Sequence, residues 1–153
     1  VGSEMCIRDR IQYLLEQYDV PIRGKHVVIV GRGLTIGRPL ANLLSLKRSN
    51  ANATVTVAHT GTEDISIHTK QADILIAAAG SPHMIKADMV KPGSAVVAAG
   101  VSFEGKKLLS DVADEVHQVA GWLSPRIGGV GPMTRAFLMA NTVQAAEKTV
   151  DIF

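Results

Sequence analysis

One short segment of this 153-residue chain restricts its fold more than any other. The apolar, mostly β-branched run His26–Val30 ends directly at Gly31, and Gly33 and Gly37 follow before a segment with leucines at helical spacing. Such a run is typical of a buried strand, and glycines that separate a strand from a helix allow a tight turn with little side-chain bulk. The segment therefore predicts a strand–turn–helix unit.

The rest of the chain continues this alternation of strands and helices. The apolar segments that indicate strands are 26–30, 54–58, 73–79 and 94–99, with shorter edge strands at 108–112 and 119–123. The segments with helical spacing are about 11–20, 37–47, 63–70 and 132–148, the last with Phe137, Leu138, Val143 and Ala146 on its inner face. Strands and helices in this order, with short connections, predict an α/β fold: one domain with a Rossmann-type doubly wound parallel sheet.

The first ten residues differ from the remainder of the chain. Residues 1–10 show no helical or strand period that continues into the next segment. They are interpreted as a non-native, leader or artefactual segment, which leaves 11–153 as the folded domain.

Composition narrows the class of protein. The net charge of +2 is small and the 16 basic residues are scattered, so nucleic-acid binding is not expected. The single cysteine, Cys6, cannot form an intrachain disulfide and favours a reducing, cytoplasmic compartment. The five histidines lack metal-ligand spacing, and no apolar run reaches the roughly 18 residues that a membrane helix needs. We therefore expect neither a metal site nor a membrane partner.

The three glycines of the turn suit the pyrophosphate of a dinucleotide cofactor. Backbone N–H groups and a helix N-terminus must come close to the phosphates, which side chains would prevent. On this interpretation Gly31 makes the tight turn, Gly33 admits the phosphates and Gly37 packs the helix onto the strand. The alternative is that all three are turn glycines without a ligand. The strand before them and the helix after them favour the cofactor turn.

The end of the second strand bears on the choice between NAD and NADP. Ala58 is followed by His59 and Thr60, and no carboxylate occurs before Glu63. An acidic residue at this place usually binds the ribose hydroxyls of NAD, and it would repel the 2′-phosphate of NADP. His59, Thr60 and the nearby guanidinium of Arg32 therefore favour NADP. His59 and Thr60 could instead, or in addition, cap the next helix.

Four segments resemble those of a known family in the same order. They are Gly31–Pro39, Thr54–Thr60, Gln71–Gly80 and Gly128–Thr134. Together they closely resemble the bifunctional methylenetetrahydrofolate dehydrogenase/methenyltetrahydrofolate cyclohydrolase family, and the Gly-Arg-Gly turn is similar to that of its actinobacterial branch. The resemblance implies an NADP-dependent enzyme that oxidises methylenetetrahydrofolate to the methenyl form and hydrolyses this to formyltetrahydrofolate.

The resemblance also implies which residues form the site. The cofactor contacts would be Gly31, Arg32, Gly33, Thr35, Ile36, Gly37, His59, Thr60, Ala79, Gly80 and Val101. The loop bordering the folate site would be Gly128, Gly129, Val130, Gly131 and Pro132. Val101 is expected near the nicotinamide. The loop could equally be a flexible link that leads to a helix starting at Pro132.

The same resemblance places the catalytic residues outside this chain. Family members are longer, and their N-terminal domain carries the catalytic lysine and its tyrosine partner, so this chain is expected to be inactive alone. The implied partners are a folate substrate shared with that domain and a second copy in a homodimer, in one-carbon metabolism and purine biosynthesis. The chain departs from the family pattern at Ala98-Ala99, where an acidic residue is usual, and at Ile127, where proline is usual.

Two other functions remain open from the residues alone. The chain could be an unrelated NAD(P)-dependent dehydrogenase or a non-catalytic nucleotide-binding module. The first is disfavoured because neither a Tyr-x-x-x-Lys pair nor a His-Asp pair is found at a strand end. The Gly128–Thr134 segment argues against the second, because a nucleotide sensor needs no folate-facing loop.

Overall fold

A computed structural model describes residues 5–105, 107–125, 139 and 143 of the chain. The helices are α1 (Met5–Gln17), α2 (Gly37–Ser45) and α3 (Ile65–Thr69), with 3-10 helices at Ala87–Met89 and Asp114–Gln118. The strands are β1 (His26–Val30), β2 (Thr54–Ala58), β3 (Ile74–Ala77), β4 (Ala95–Ala98), β5 (Val101–Glu104), β6 (Lys107–Ser110) and β7 (Trp122–Leu123).

Five of these strands form one sheet in the order β2-β1-β3-β4-β7. Every neighbouring pair in this sheet is parallel, so the predicted doubly wound α/β fold is confirmed. The chain passes from β1 to β2 on one side and then returns to place β3 on the other side of β1. Such a reversal of direction is the topological switch point, where ligands of open parallel sheets bind beyond the carboxyl ends of the strands.

The sheet is buried on both faces, as the apolar strands predict. Val27 and Ile29 of β1 belong to a core that contains residues of α1 and α2. Val28 and Val30, which alternate with them, belong to a second core on the opposite face. Burying each of these side chains contributes about 1.5–3 kcal/mol relative to exposure, and β-branched side chains such as Val and Ile pack well on a pleated sheet.

At the amino end of the sheet, Asp73 joins β3 to β1. Its backbone N–H donates to the carbonyl oxygen of His26 over 2.9 Å, and its carboxylate accepts from the His26 N–H over 3.0 Å. Lys91 donates to the same carboxylate over 2.7 Å. Both hydrogen bonds lower the pKa of Asp73 below its ordinary value, and the bond from Lys91 has a larger effect than the bond from the His26 N–H. These bonds fix the register in which β1 and β3 begin.

The first helix begins earlier than the sequence predicts. The expected start was Ile11, whereas α1 begins at Met5, and Arg10 is 1% exposed. Residues 5–10, which the sequence pattern leaves outside the folded domain, therefore belong to its first helix. The helical spacing of apolar residues is interrupted before Ile11 in the sequence, because the buried position 10 holds an arginine where this spacing requires an apolar side chain.

In the second half of the chain, the structure departs from the sequence-based prediction in three places. Strand β5 is not predicted, and it pairs antiparallel with β6 outside the main sheet. Within the predicted strand 119–123, only Trp122–Leu123 is extended, and it pairs with β4. Of the predicted helix 132–148, the structure describes 139 and 143 as helical, and Val143 is 57% exposed. The expected place of Val143 on an inner face is therefore wrong, and Phe137, Leu138 and Ala146 lie outside the described residues.

Candidate functional site

The turn between β1 and α2 depends on two close backbone approaches. Gly31 has φ +122, a conformation that favours glycine, and a side-chain carbon there would collide with the carbonyl group of Ala78. A side-chain carbon at Gly37 would collide with the carbonyl group of Gly31. Because Gly31 has no side chain, the turn can lie directly against the end of β3. Gly37 lets the first turn of α2 lie directly on the β1–α2 turn.

The residues between these glycines face away from the core. Arg32, Gly33 and Thr35 are exposed, and Ile36 is half-buried. A side-chain carbon at Gly33 would meet no atom of the described residues within 4 Å. Ile36 is the residue that precedes α2, and its apolar side chain makes no capping hydrogen bond to the helix N-terminus. An uncapped helix N-terminus beside an open glycine is a suitable binding place for a phosphate.

A tight turn follows β2 at the same edge of the sheet. The backbone N–H of His59 donates to the Thr62 hydroxyl over 2.9 Å, and the Gly61 N–H donates to Nδ1 of His59 over 3.0 Å. Thr60 is exposed at the tip of this turn. The turn thus presents a hydroxyl and an imidazole, and its hydrogen bonds fix the imidazole orientation.

The cap of α3 is Asp64, whose carboxylate accepts from the Ser66 N–H over 2.8 Å. The alternative that His59 and Thr60 cap this helix is therefore wrong. The side-chain and backbone hydrogen bonds from Ser66 lower the pKa of Asp64, so this carboxylate is an anion committed to the helix end.

The loops after β3 and β4 complete the edge. Ala79 and Gly80 are exposed, and Gly80 has φ +69. Val101, at the start of β5, is 48% exposed. Behind these loops lies Asp111, which is fully buried and accepts hydrogen bonds from the backbone N–H groups of Ala79 and Gly80, each over 2.7 Å.

Sequence reasoning missed Asp111. The available signal was a single acidic residue inside the apolar segment 108–112, which was expected to be an edge strand. A carboxylate in such a segment is either exposed or paired with specific donors. The donors here lie 31 and 32 residues away along the chain, and for that reason local spacing could not identify them.

The structure brings most of the predicted cofactor residues to one edge of the sheet. Parallel strands end on the same side, so the turn after β1, the turn after β2 and the loops after β3 and β4 are neighbours. The Gly31 N–H, for example, donates to the carbonyl of Ala58 at the end of β2 over 2.8 Å. The predicted substrate loop, Gly128, Gly129, Val130, Gly131 and Pro132, lies outside the described residues.

The part of the chain that the structure describes contains no group of three or more His, Cys, Asp or Glu side chains suited to hold a metal ion. In the same part, no helix combines the length and apolar character that crossing a membrane requires.

The chain matches one protein family over almost its whole length. The family is described as "Tetrahydrofolate dehydrogenase/cyclohydrolase, NAD(P)-binding domain", and the match covers residues 5–150. The chain is 53% identical over 147 residues to the bifunctional protein FolD of Syntrophotalea carbinolica. The match covers 96% of this chain and 51% of that protein, so the chain spans about half the length of this relative.

Solved structures agree with this match. The bifunctional FolD dehydrogenase/cyclohydrolase of Campylobacter jejuni is 41% identical with a TM-score of 0.87, over 94% of this chain and 50% of that one. The FolD enzyme of Trypanosoma brucei, determined with NADP cofactor and an inhibitor, is 35% identical with a TM-score of 0.85. That match covers 95% of this chain and 51% of that one.

Proposed function

This chain belongs to the tetrahydrofolate dehydrogenase/cyclohydrolase family through its NAD(P)-binding domain, and we propose that it forms the NADP-binding half of an enzyme with both activities. In the dehydrogenase reaction, methylenetetrahydrofolate is oxidised to methenyltetrahydrofolate. In the cyclohydrolase reaction, the methenyl form is hydrolysed to formyltetrahydrofolate. The family match favours this function over an unrelated dehydrogenase or a non-catalytic nucleotide-binding module.

The observation that carries the proposal is the β1–α2 turn. Gly31 and Gly37 bring the backbone and the uncapped N-terminus of α2 together, and Gly33 opens onto space free of described atoms. This arrangement fits a pyrophosphate, because N–H groups and the positive end of the helix dipole attract negative oxygens. Arg32, Thr35 and Ile36 would line the same turn.

The turn after β2 supports NADP as the cofactor. It presents His59 and Thr60, and the carboxylate of Asp64 beyond the turn is bonded to the end of α3. A 2′-phosphate at this place would meet the Thr60 hydroxyl and the exposed guanidinium of Arg32, and neither His59 nor Thr60 carries a carboxylate to repel it. The Trypanosoma brucei relative was determined with NADP.

The remaining residues of the edge would hold the reactive half of the cofactor. NADP, when bound, supplies the hydride acceptor of the dehydrogenase reaction. With the adenosine end at β2 and the pyrophosphate at β1, the nicotinamide would extend toward Ala79, Gly80 and Val101. These residues would orient the ring by backbone contacts and apolar surface, and they supply no proton donor or nucleophile. The proposal therefore assigns this chain binding and orientation, with no catalytic residue.

The folate would bind between this domain and the N-terminal domain of the whole enzyme. The loop Gly128–Pro132 is proposed to border the folate. We further propose a homodimer in the cytoplasm that serves one-carbon metabolism and purine biosynthesis. Both proposals rest on the family resemblance, and sedimentation of the chain at several concentrations tests the dimer.

The decisive experiment has two parts. Titration calorimetry of the 153-residue chain should detect NADP binding, with weaker binding of NAD. Oxidation of methylenetetrahydrofolate should then require an N-terminal domain of a family member supplied in trans, with the chain alone as control. Absence of NADP binding would contradict the proposal, and turnover of another alcohol or acid by the chain alone would favour an unrelated dehydrogenase.

A further inference from the structure

Asp111 is a buried carboxylate that holds an exposed loop from behind. This residue is 0% exposed, whereas Ala79 and Gly80, to which it is bonded, are exposed. One oxygen, Oδ2, accepts from both backbone N–H groups over 2.7 Å. Hydrogen bonds to an ionised acceptor at such distances are among the stronger ones in proteins. The carboxylate therefore fixes two successive peptide groups at the carboxyl end of β3.

The same carboxylate also contacts the loop after β4. A side-chain carbon at Gly100 would collide with Oδ2 of Asp111, so the glycine makes room for the carboxylate. The backbone N–H of Asp111 donates to the Gly100 carbonyl over 3.2 Å. Asp111 thus joins the loops that follow β3 and β4, which succeed β1 in the sheet on the side away from β2.

The backbone of Gly80 is held at its carbonyl as well as at its N–H. The hydroxyl of Ser102, in β5, donates to the Gly80 carbonyl over 2.9 Å. Gly80 adopts φ +69, which glycine reaches without steric cost, but glycine also has more conformational freedom than other residues, so its hydrogen bonds select the geometry. Asp111 and Ser102 together specify it, from the buried side and from the exposed side.

Burial of this carboxylate is unfavourable on its own. The second oxygen, Oδ1, is buried and has no hydrogen-bond partner among the described residues. A buried acceptor without a donor costs about 1–3 kcal/mol, more when it is charged. A purely apolar side chain would avoid this cost. The presence of a carboxylate at this buried position is therefore explained by its hydrogen bonds to the loop after β3.

We infer that Asp111 is a positioning residue that shapes the β3 and β4 loops to receive the nicotinamide half of the dinucleotide. This inference rests on the proposed function, which places the adenosine end at β2 and the pyrophosphate at the β1–α2 turn. A dinucleotide laid across the switch point then extends over β3 and β4. The loop that Asp111 holds forms the wall there, and a shift of its backbone would misplace the ring.

The test compares two ligands that share one half. NADP contains both halves, whereas adenosine 2′,5′-bisphosphate has the adenosine and the 2′-phosphate without the nicotinamide. Asp111→Ala, in the 153-residue chain, removes the acceptor for two N–H groups. We expect its Kd for NADP to rise about tenfold or more, and its Kd for adenosine 2′,5′-bisphosphate to stay within about twofold. Asp111→Asn keeps one oxygen that can accept both bonds, so it should restore most of the NADP affinity.

Equal weakening of both ligands by Asp111→Ala would show a general structural role and overturn the inference, as would no change for either ligand. Circular dichroism checks that the variant is folded. If it is not folded, the Ser102→Ala variant is used instead, because it removes the other hydrogen bond to Gly80, the one to its carbonyl, at a half-buried position. It should weaken NADP about two- to threefold and leave the bisphosphate unchanged, and any other pattern overturns the inference. Failure of the wild-type chain to bind either ligand would instead contradict the proposed function.

Discussion

Gly37 packs so closely on Gly31 that a side-chain carbon at position 37 would collide with the Gly31 carbonyl group. The two glycines therefore form one unit although five residues separate them. Gly31 in turn lies against the carbonyl of Ala78 at the end of β3. The first turn of α2, the β1–α2 turn and the neighbouring strand are thus in direct backbone contact, in addition to the side-chain core beneath them.

Gly37→Ala should destabilise the chain. An alanine in a helix is favoured over glycine by at most about 1 kcal/mol, whereas overpacking against backbone costs about 1–3 kcal/mol or more. We expect the free energy of unfolding to fall by roughly 2 kcal/mol, measured by urea denaturation. Gly33→Ala is the matched control, because a side-chain carbon there meets no described atom within 4 Å, and its stability should change by less than about 0.5 kcal/mol. A Gly37→Ala variant as stable as wild type would show that the turn can yield.

Gly33→Val should abolish NADP binding and leave the fold intact. The position is open on the protein side, so the branched side chain can enter only the space proposed for the pyrophosphate. We expect an unchanged melting temperature together with a loss of NADP affinity of at least about tenfold, or 1.4 kcal/mol. Calorimetric titration measures the binding. Unchanged affinity in the folded variant would mean that the phosphates do not bind at this turn.

The sequence predicts the strands and turns whose conformation is determined by their own residues. The run His26–Val30 is recognisable as a buried strand because the four residues after His26 are apolar and β-branched, and the glycines that follow favour a turn. Helix α1 was predicted with a late start because the buried Arg10 resembles a surface residue in the sequence. Strand β5 was missed because the alternation of apolar and polar residues in Val101–Glu104 lasts for only four residues before Gly105.

The candidate site also contains residues that the sequence identifies and one that only the structure shows. Gly31, Gly33 and Gly37 were recognisable because a phosphate-binding turn needs these residues at short spacing. The role of Asp111 was not recognisable, because its donors lie in the loop after β3, which only the folded chain brings near. An acidic residue in an apolar segment signals in the sequence that it needs donors, but local spacing does not show where they are.

Thr60→Asp should discriminate between the two cofactors. A carboxylate at the tip of the turn after β2 would repel the 2′-phosphate, whereas it could accept hydrogen bonds from the ribose hydroxyls of NAD. We expect NADP binding to weaken by roughly 1–3 kcal/mol and NAD binding to weaken less. Thr60→Ala is the control for lost hydroxyl contact without added charge. Because Asp64 caps α3, neither variant should alter stability, and an equal loss for both cofactors would contradict the assignment of Thr60 to the 2′-phosphate.

Asp73→Asn should make stability less dependent on acidic pH. Lys91 and the His26 N–H lower the pKa of Asp73 in the folded chain, whereas the unfolded chain has the ordinary value of about 3.9. The ionised carboxylate therefore stabilises the fold above about pH 4, and this contribution is lost as the pH falls through the lower, folded pKa. The Asp73 and Lys91 side chains are 34% and 45% exposed, so solvent limits their ion pair to less than about 1 kcal/mol at neutral pH.

Urea denaturation of wild type and Asp73→Asn at pH 7 and near pH 3 measures this difference. We expect the variant to be less stable at pH 7 and the gap to narrow in acid. Lys91→Met and the double variant complete a cycle that isolates the Asp73–Lys91 pair. The coupling energy of this cycle should also decrease in acid, because the protonated carboxyl group carries no charge for Lys91 to attract. A coupling energy of equal size at both pH values would show that the pair contributes through packing rather than through its ionised hydrogen bond.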